Sequence, residues 1–212
     1  MVQNVLLKFC TFAGNKILVM MDVSDILAFS RRKDFREWLK VNHDTAKECW
    51  VTVKKGQPLT EETLYYLDAV EEALCFGWID STNKTYDNRT IQRFSPRKKS
   101  SPWSELNIER CRRLEKLHLM TEAGREVLPK SVSIENFVID DDILEAFRRN
   151  PISWKNFQQF PELYRRIRID TIQRDKRKDI DLFWKRVARL IQKSEQGEMF
   201  GDWNDYGRLL EY

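Results

Sequence analysis

The sequence predicts an α+β fold that is mostly helical, with a small antiparallel sheet packed on N-terminal helices and an all-helical C-terminal module. Three observations support this prediction. Apolar residues recur at helical spacing through most of the chain, three short segments show the alternation and β-branched residues typical of strands, and the pattern after residue 140 is helical throughout. The length of 212 residues allows one large domain or two small ones.

The first predicted elements are a helix, a strand and a second helix. Residues 31–42 have an amphipathic pattern, and Ser30 is a suitable N-cap for that helix. Residues 48–55 alternate and are rich in β-branched side chains, which favours a strand. Thr60 is expected to cap the second helix, and Gly77 is expected to end it as a C′ glycine.

Two more strands and another helix follow in the central segment. Trp78–Ser81 and Thr90–Phe94 are predicted to be short strands that are joined across residues 83–89. With the strand near Cys49–Val53 they complete the small antiparallel sheet. Ser101 followed by Pro102 predicts the start of the next helix, because serine is a good N-cap and proline is favoured at the first helical position.

The chain is expected to divide into four segments. Residues 1–23 are predicted to be an N-terminal arm, and Met20 or Met21 is an alternative start of the native protein, because Lys8 interrupts the apolar run of that arm. Residues 24–129 form the α+β domain, residues 130–193 form a helical module, and residues 194–212 form an acidic, aromatic tail. The tail is expected either to dock on a basic face or to stay mobile.

Composition indicates a folded protein with a highly charged surface, since 42% of the residues are hydrophobic and 33% are charged. Four cysteines lie far apart without a CxxC pair, and only two histidines are present. This spacing gives no zinc site, so neither a metal nor another cofactor is predicted. Reduced thiols and the absence of a continuous apolar segment long enough for a bilayer predict a cytoplasmic protein without a membrane partner. The oligomeric state stays open.

Charge is distributed unevenly along the chain. Residues 89–116 carry nine basic and three acidic side chains, and residues 148–193 carry fourteen and five. The segments around these two basic blocks are net acidic. Such a pattern fits an anionic partner, and it fits internal pairing of opposite charges equally well.

The segment Glu71–Asn107 is the strongest candidate for a site, because aromatic, cationic and carboxylate side chains crowd around turn residues there. The predicted ligand-binding residues are Lys54, Trp78, Asp80, Arg93, Arg97 and Trp103. Arg97 precedes the predicted helix start at Ser101, where exposed N–H groups would favour an anion. Two alternatives remain: the tryptophans are core residues, and Arg97 pairs with Asp80. Glu72 and Asp80 are weak candidates for a catalytic acid or base.

Several of these residues belong to motifs that resemble the YdeI/OmpD-associated, or bacteriocin-protection, family. The resemblance rests on Trp38-Leu39, His43, Trp50, Lys54-Lys55, EALCFGWIDS (72–81), RFSPRKKSSPWSELN (93–107), GREVLP (124–129) and LEAFRRNPISWKNFQQFPELYRR (144–166). It covers about residues 24–193 and implies that the helical module at 130–193 is of the OmdA type. The chain departs from the family pattern at residues 169–187 and in its tail.

The resemblance implies a small cytoplasmic bacterial protein linked to stress or bacteriocin protection, without an established reaction. With the basic blocks, it favours a non-enzymatic protein that binds an anionic ligand, either a phosphate-bearing metabolite or nucleic acid. One alternative is an enzyme that acts on a small anionic metabolite through a carboxylate acid/base. Another is an adaptor that binds a protein partner through its basic C-terminal helices.

Overall fold

The computed structural model describes the backbone of residues 5–12 and 15–22, and the backbone and side chains of residues 26–129 and 137–212. Two compact units are present. The N-terminal unit comprises residues 1–101 and 117–128, and the C-terminal unit comprises residues 102–116 and 129–212. The predicted boundary near residue 130 differs from this division, because residues 102–116 cluster with the C-terminal helices. Residues 130–136, at the start of the predicted helical module, lie outside the described residues.

The strands are β1 (Val5–Phe12), β2 (Asn15–Asp22), β3 (Ile26–Leu27), β4 (Cys49–Val53), β5 (Trp78–Tyr86) and β6 (Arg89–Pro96). Within the described residues the helices are α1 (Arg32–Asn42), α2 (Tyr66–Cys75), α3 (Glu105–Lys116), α4 (Glu122–Glu126), α5 (Asp141–Arg148), α6 (Pro151–Gln159), α7 (Glu162–Gln173) and α8 (Ile180–Glu195). The predicted α+β class, with a small sheet followed by helices, is therefore confirmed.

A four-stranded sheet of order β3-β4-β6-β5 forms the centre of the N-terminal unit. The predicted antiparallel pairs β4–β6 and β5–β6 are present, and β3 adds a short parallel strand that the sequence did not indicate. β1 and β2 form a separate antiparallel hairpin within the predicted N-terminal arm. Strands β5 and β6 are longer than expected, because Asp87 and Asn88 both have positive φ and close the hairpin in two residues.

The second predicted helix begins later than the sequence suggests. α2 starts at Tyr66 rather than after Thr60, because the preceding residues pair with the end of β4. The Lys54 N–H donates to the Leu64 carbonyl at 3.0 Å, and the Lys54 carbonyl accepts from the Tyr66 N–H at 2.9 Å. Gly77 follows the helix at φ 73°, as predicted, and a Cβ there would lie 2.7 Å from the Ala123 carbonyl oxygen.

Aromatic side chains form much of the core of the N-terminal unit. Phe35 on α1 packs against Phe94 on β6 with ring centroids 5.5 Å apart. Trp38 meets Trp78 edge to face at 5.9 Å. Trp78 also donates its indole N–H to the His43 carbonyl at 2.9 Å. The polar atom of this buried side chain therefore has a hydrogen-bond partner within the core.

The C-terminal unit has its own core, to which α5, α6, α7 and α8 all contribute. Phe147, Phe157, Tyr164 and Phe183 are among its buried residues. The tail joins this core through Trp203, and Asp205 forms two hydrogen bonds to Arg110 on α3 at 2.7 and 2.8 Å. The tail is thus fixed by both apolar packing and a buried ion pair.

The start of α3 was predicted incorrectly. The helix begins at Glu105 instead of at Ser101-Pro102, and the Ser104 hydroxyl accepts a hydrogen bond from the Asn107 N–H at 3.2 Å. This geometry is that of an N-cap. Ser104 therefore replaces Ser101 as the capping residue.

Candidate functional site

A concave recess of about 400 Å³ lies at the end of strand β4, wholly within the N-terminal unit. We call it the cationic recess. Its walls consist of Phe29, Ser30, Thr52, Val53, Lys54, Lys55, Glu62, Thr63, Leu64, Asn88, Arg89 and Thr90. Its volume falls within the range of about 300–1,000 Å³ that is usual for small-molecule sites.

Strand pairing and the hairpin turn bring the cationic side chains of this recess together. Val53 pairs with Thr90, so Lys54 follows β4 at the same end of the sheet where Arg89 begins β6. The backbone of Lys54 is held by hydrogen bonds to Leu64 and Tyr66. The position of this lysine backbone is thus fixed by the fold rather than by a ligand.

The recess has a net positive charge. Lys54, Lys55 and Arg89 contribute three cations, and Glu62 contributes one carboxylate. The Lys54 ammonium lies 5.5 Å from the centroid of the Tyr65 ring. Among the described residues, no carboxylate forms a salt bridge with any of the three cations. Their charge is therefore not neutralised by an internal partner, which favours attraction of an anion.

A second recess of about 310 Å³ lies beside the first, and we call it the apolar recess. Its walls consist of Ile26, Ala28, Thr52, Tyr86, Asp87, Arg89 and Ile91. Thr52 and Arg89 belong to both recesses, so the two share a wall. The two recesses thus adjoin at the end of the sheet, and the second adds Ile26, Ile91 and the Tyr86 ring to the surface there.

Lys54 is the predicted site residue that the structure places in the cationic recess. Trp78 is only 1% exposed and belongs to the core, as the packing alternative supposed. Arg93 donates to Glu48 at 3.0 Å and to the Ser81 hydroxyl at 3.1 Å, so it is committed to the sheet surface. Trp103 belongs to the C-terminal unit, whereas the other predicted site residues belong to the N-terminal unit.

Arg97 does not stand beside a helix N-terminus as predicted, since the helix begins at Glu105. Its side chain is only 6% exposed and donates to the Ser101 carbonyl at 3.3 Å. Asp80 accepts a hydrogen bond from the Tyr66 hydroxyl at 2.7 Å, and within the described residues this bond stands in place of the alternative pairing with Arg97. Arg97 is thus placed to hold a loop together, and anion binding by it stays a prediction.

Glu72 lies in a buried cluster of charges between α1 and α2. It pairs with Arg32 and, at 2.6 Å, with Arg36, while Glu71 pairs with Arg32 at 2.6 Å. Burial alone would lower the pKa of Arg32, but the charges of Glu72 and Glu71 outweigh it and raise that pKa. Both carboxylate oxygens of the buried Glu72 are thus paired with arginines. The pairs stabilise the packing of α1 on α2, and Glu72 is not accessible as an acid or base.

Arg89 is a residue that the sequence analysis missed. Asp87-Asn88 was not recognised as a two-residue hairpin turn, although asparagine and aspartate are common in such turns. Recognition of that turn would have placed Arg89 at the end of the sheet. Thr90, the next residue, pairs with Val53, so Arg89 lies near Lys54.

Two further observations concern membrane-spanning helices and metal-binding groups. Among the described helices, none is both long and apolar enough to cross a bilayer. In the same part of the chain, no group of three or more histidine, cysteine, aspartate or glutamate side chains is arranged to hold a metal ion.

Two family models match the sequence. Residues 27–127 match a domain of unknown function (DUF8412), and residues 136–197 match the family described as bacteriocin-protection, YdeI or OmpD-associated (OmdA). No match was found among curated proteins or among solved structures. The resemblance had been expected to extend over residues 24–193, but the N-terminal part matches a model of its own. The C-terminal region of this chain is thus similar to the OmdA, or YdeI/OmpD-associated, family over residues 136–197.

Proposed function

We propose that this chain is a bacteriocin-protection-type binding protein whose N-terminal unit binds a phosphate-bearing small molecule in the cationic recess. The observation that carries the proposal is the convergence of Lys54, Lys55 and Arg89 on one concave site without a salt-bridge partner among the described residues. The OmdA domain supports the protective role, and the recess supports the choice of ligand.

The chemistry of the recess favours phosphate. The guanidinium of Arg89 can donate two parallel hydrogen bonds to a phosphate, and the two lysines add point charges. The hydroxyls of Ser30, Thr52 and Thr63 line the same walls and can donate further hydrogen bonds. A small metabolite fits a concave site of this volume better than a nucleic-acid strand, which is usually bound along an extended positive groove.

The enzymatic alternative has less support. Glu72 is buried in ion pairs, and Asp80 accepts from Tyr66. Neither carboxylate lines the cationic recess or the apolar recess. A cytoplasmic location forms part of the proposal, because Cys49, Cys75 and Cys111 are buried free thiols, as is usual in a reducing compartment.

Calorimetric titration with inorganic pyrophosphate and with ribose 5-phosphate tests the proposal. Lys54→Ala and Arg89→Ala should each weaken binding about tenfold to a hundredfold, since a hydrogen bond to a charged group contributes about 1.5–3 kcal/mol. Lys47→Ala is the matched control, because Lys47 is an exposed lysine of the same unit outside the recess. It should leave the affinity unchanged.

Two results would overturn the proposal. One is an equal loss of affinity in the Lys47→Ala control, which would mean that only net charge is sensed. The other is binding of a single-stranded oligonucleotide that is tighter than that of either small anion and falls steeply with salt, as counterion release requires. That second result would identify nucleic acid as the ligand.

A further inference from the structure

The cationic recess and the apolar recess adjoin at the end of the sheet, and we call the pair the cleft. Thr52 and Arg89 belong to the walls of both. Thr52 pairs with Ile91 across β4 and β6, and Arg89 pairs with Tyr86 across the hairpin. The strands therefore fix the distance and orientation of the two recesses, and Arg89 stands where they meet.

The apolar recess offers both apolar and polar side chains, which suits a planar base with polar edges. Its walls include Ile26, Ile91 and the partly buried ring of Tyr86, which belong to a hydrophobic cluster on one face of the sheet. Aromatic side chains stack on planar heterocycles with little regard to their identity. The isoleucines supply apolar surface beside this ring, and Thr52, Asp87 and Arg89 add polar groups to the same walls.

Asp87 adds a carboxylate to the apolar recess. It occupies the first left-handed position of the hairpin turn at φ 46°, so its backbone is fixed by the two-residue loop. A carboxylate accepts hydrogen bonds from hydroxyl groups and from amino groups, and it repels phosphate. The cleft thus has a cationic end and an end that favours uncharged hydrogen-bond donors.

Building on the proposed function, we propose that the ligand of this cleft is a mononucleotide. Its phosphate occupies the cationic recess between Lys54 and Arg89, and its base lies in the apolar recess against Tyr86. Asp87 accepts hydrogen bonds from the amino or hydroxyl groups of the nucleoside. Inorganic phosphate or a sugar phosphate leaves the apolar recess unfilled, so the base is the part of the ligand that this second recess selects.

Comparison of two probes that share the sugar phosphate tests the inference on the unaltered protein. Adenosine 5′-monophosphate and ribose 5-phosphate are titrated separately by calorimetry. We expect the mononucleotide to bind at least about tenfold more tightly, because only it fills both recesses. Equal affinities would refute the inference and would leave the proposed phosphate site intact.

Variants of the hairpin then assign the effect to the apolar recess. Tyr86→Ala should reduce the affinity for the mononucleotide to that of ribose 5-phosphate, while Tyr86→Phe, which keeps the ring, should retain most of it. Asp87→Asn keeps a residue that tolerates positive φ and should weaken the mononucleotide alone. An equal loss of both probes in Tyr86→Ala, with thermal melting unchanged, would contradict the inference. If neither probe binds the unaltered protein, the proposed function itself fails.

Discussion

Arg166 on α7 offers the sharpest test of the energetics of the C-terminal unit. The side chain is only 2% exposed and pairs with Glu109 at 2.8 Å, with Glu105 and with the half-exposed Glu162 at 2.9 Å. Substitution by alanine removes the cation and leaves the buried Glu109 carboxylate with fewer partners. Removal of one partner from a buried ion pair typically costs about 3–5 kcal/mol.

The structure places the expected loss at the lower end of that range. Glu109 keeps hydrogen bonds from Arg112 and from the Tyr212 hydroxyl after Arg166 is removed. Glu162 is half exposed, so its pair with Arg166 contributes little. We therefore expect Arg166→Ala to reduce the free energy of unfolding by about 3 kcal/mol, measured by urea denaturation followed by circular dichroism at neutral pH.

Arg148→Ala is the matched control in the same unit. Arg148 pairs with Glu145 at 3.2 Å, but its side chain is 70% exposed. An exposed pair of this kind contributes under about 1 kcal/mol. A loss in Arg166→Ala that is no larger than the loss in Arg148→Ala would refute the reasoning, since burial would then make no difference to the energy of the pair.

The same variant has a predictable pH dependence. Burial acts to raise the pKa of Glu109, but hydrogen bonds from Tyr212, Arg166 and Arg112 outweigh it and lower that pKa. A lowered pKa in the folded state stabilises the protein above the ordinary carboxyl pKa of about 4.3, and this stabilisation disappears as the pH falls through the lowered value. In Arg166→Ala the carboxylate can be neutralised by protonation, so the stability difference from the unaltered protein should shrink in acid.

Three other predictions concern the N-terminal unit. Trp78→Ala should lower the free energy of unfolding by about 3–5 kcal/mol in urea denaturation, because it removes a fully buried indole and leaves the His43 carbonyl without that hydrogen bond. A variant of nearly full stability would contradict the assignment of Trp78 to the core. Gly77→Ala should destabilise the protein strongly and Gly56→Ala less. Both glycines have positive φ, but only at Gly77 does the added Cβ meet a backbone atom. Equal losses in melting temperature would mean that the cost of the substitution comes from φ alone. Burial and, to a smaller extent, the charge of Glu72 raise the pKa of the Cys75 thiol to about 12. Iodoacetamide should therefore label Cys75 at pH 8 only after unfolding. Rapid labelling of Cys75 in the folded protein, mapped by mass spectrometry, would disprove this.

Local sequence patterns predicted those helices and strands whose tertiary contacts agree with the conformational propensity of their own residues. The alternation of residues 48–55 and the helical spacing of residues 31–42 each correspond to one element of the structure. The two incorrect helix starts have a different origin. The chain after Thr60 pairs with the end of β4 before α2 begins, and Ser104 caps α3 in place of Ser101. A cap signal identifies a residue that can start a helix, but strand pairing delays the start of α2, and a neighbouring serine takes the capping role at α3.

The candidate site was only partly predictable for a related reason. Lys54 stood out because it ends a recognisable strand, and it lines the cationic recess. Arg93 and Arg97 stood out equally, yet their side chains engage Glu48, Ser81 and Ser101. Sequence shows which side chains are charged, whereas the packing of the chain decides which of those charges have partners.

Net charge along the chain is therefore only a coarse guide to the proposed anion site. Residues 148–193 carry fourteen basic side chains, but the two that are buried are already engaged: Arg166 is paired with Glu109, and Arg168 donates to the Phe200 carbonyl. Residues 1–88 carry 11 basic and 13 acidic side chains, and several of those acids lie in the buried cluster of α2 with Arg32 and Arg36. Because those carboxylates are already paired, they weaken the potential of the cationic recess less than their number suggests. The cationic recess takes Lys54 and Lys55 from the segment whose total charge is negative and Arg89 from a basic block, since a ligand senses the few unneutralised charges around it rather than the sum over the chain.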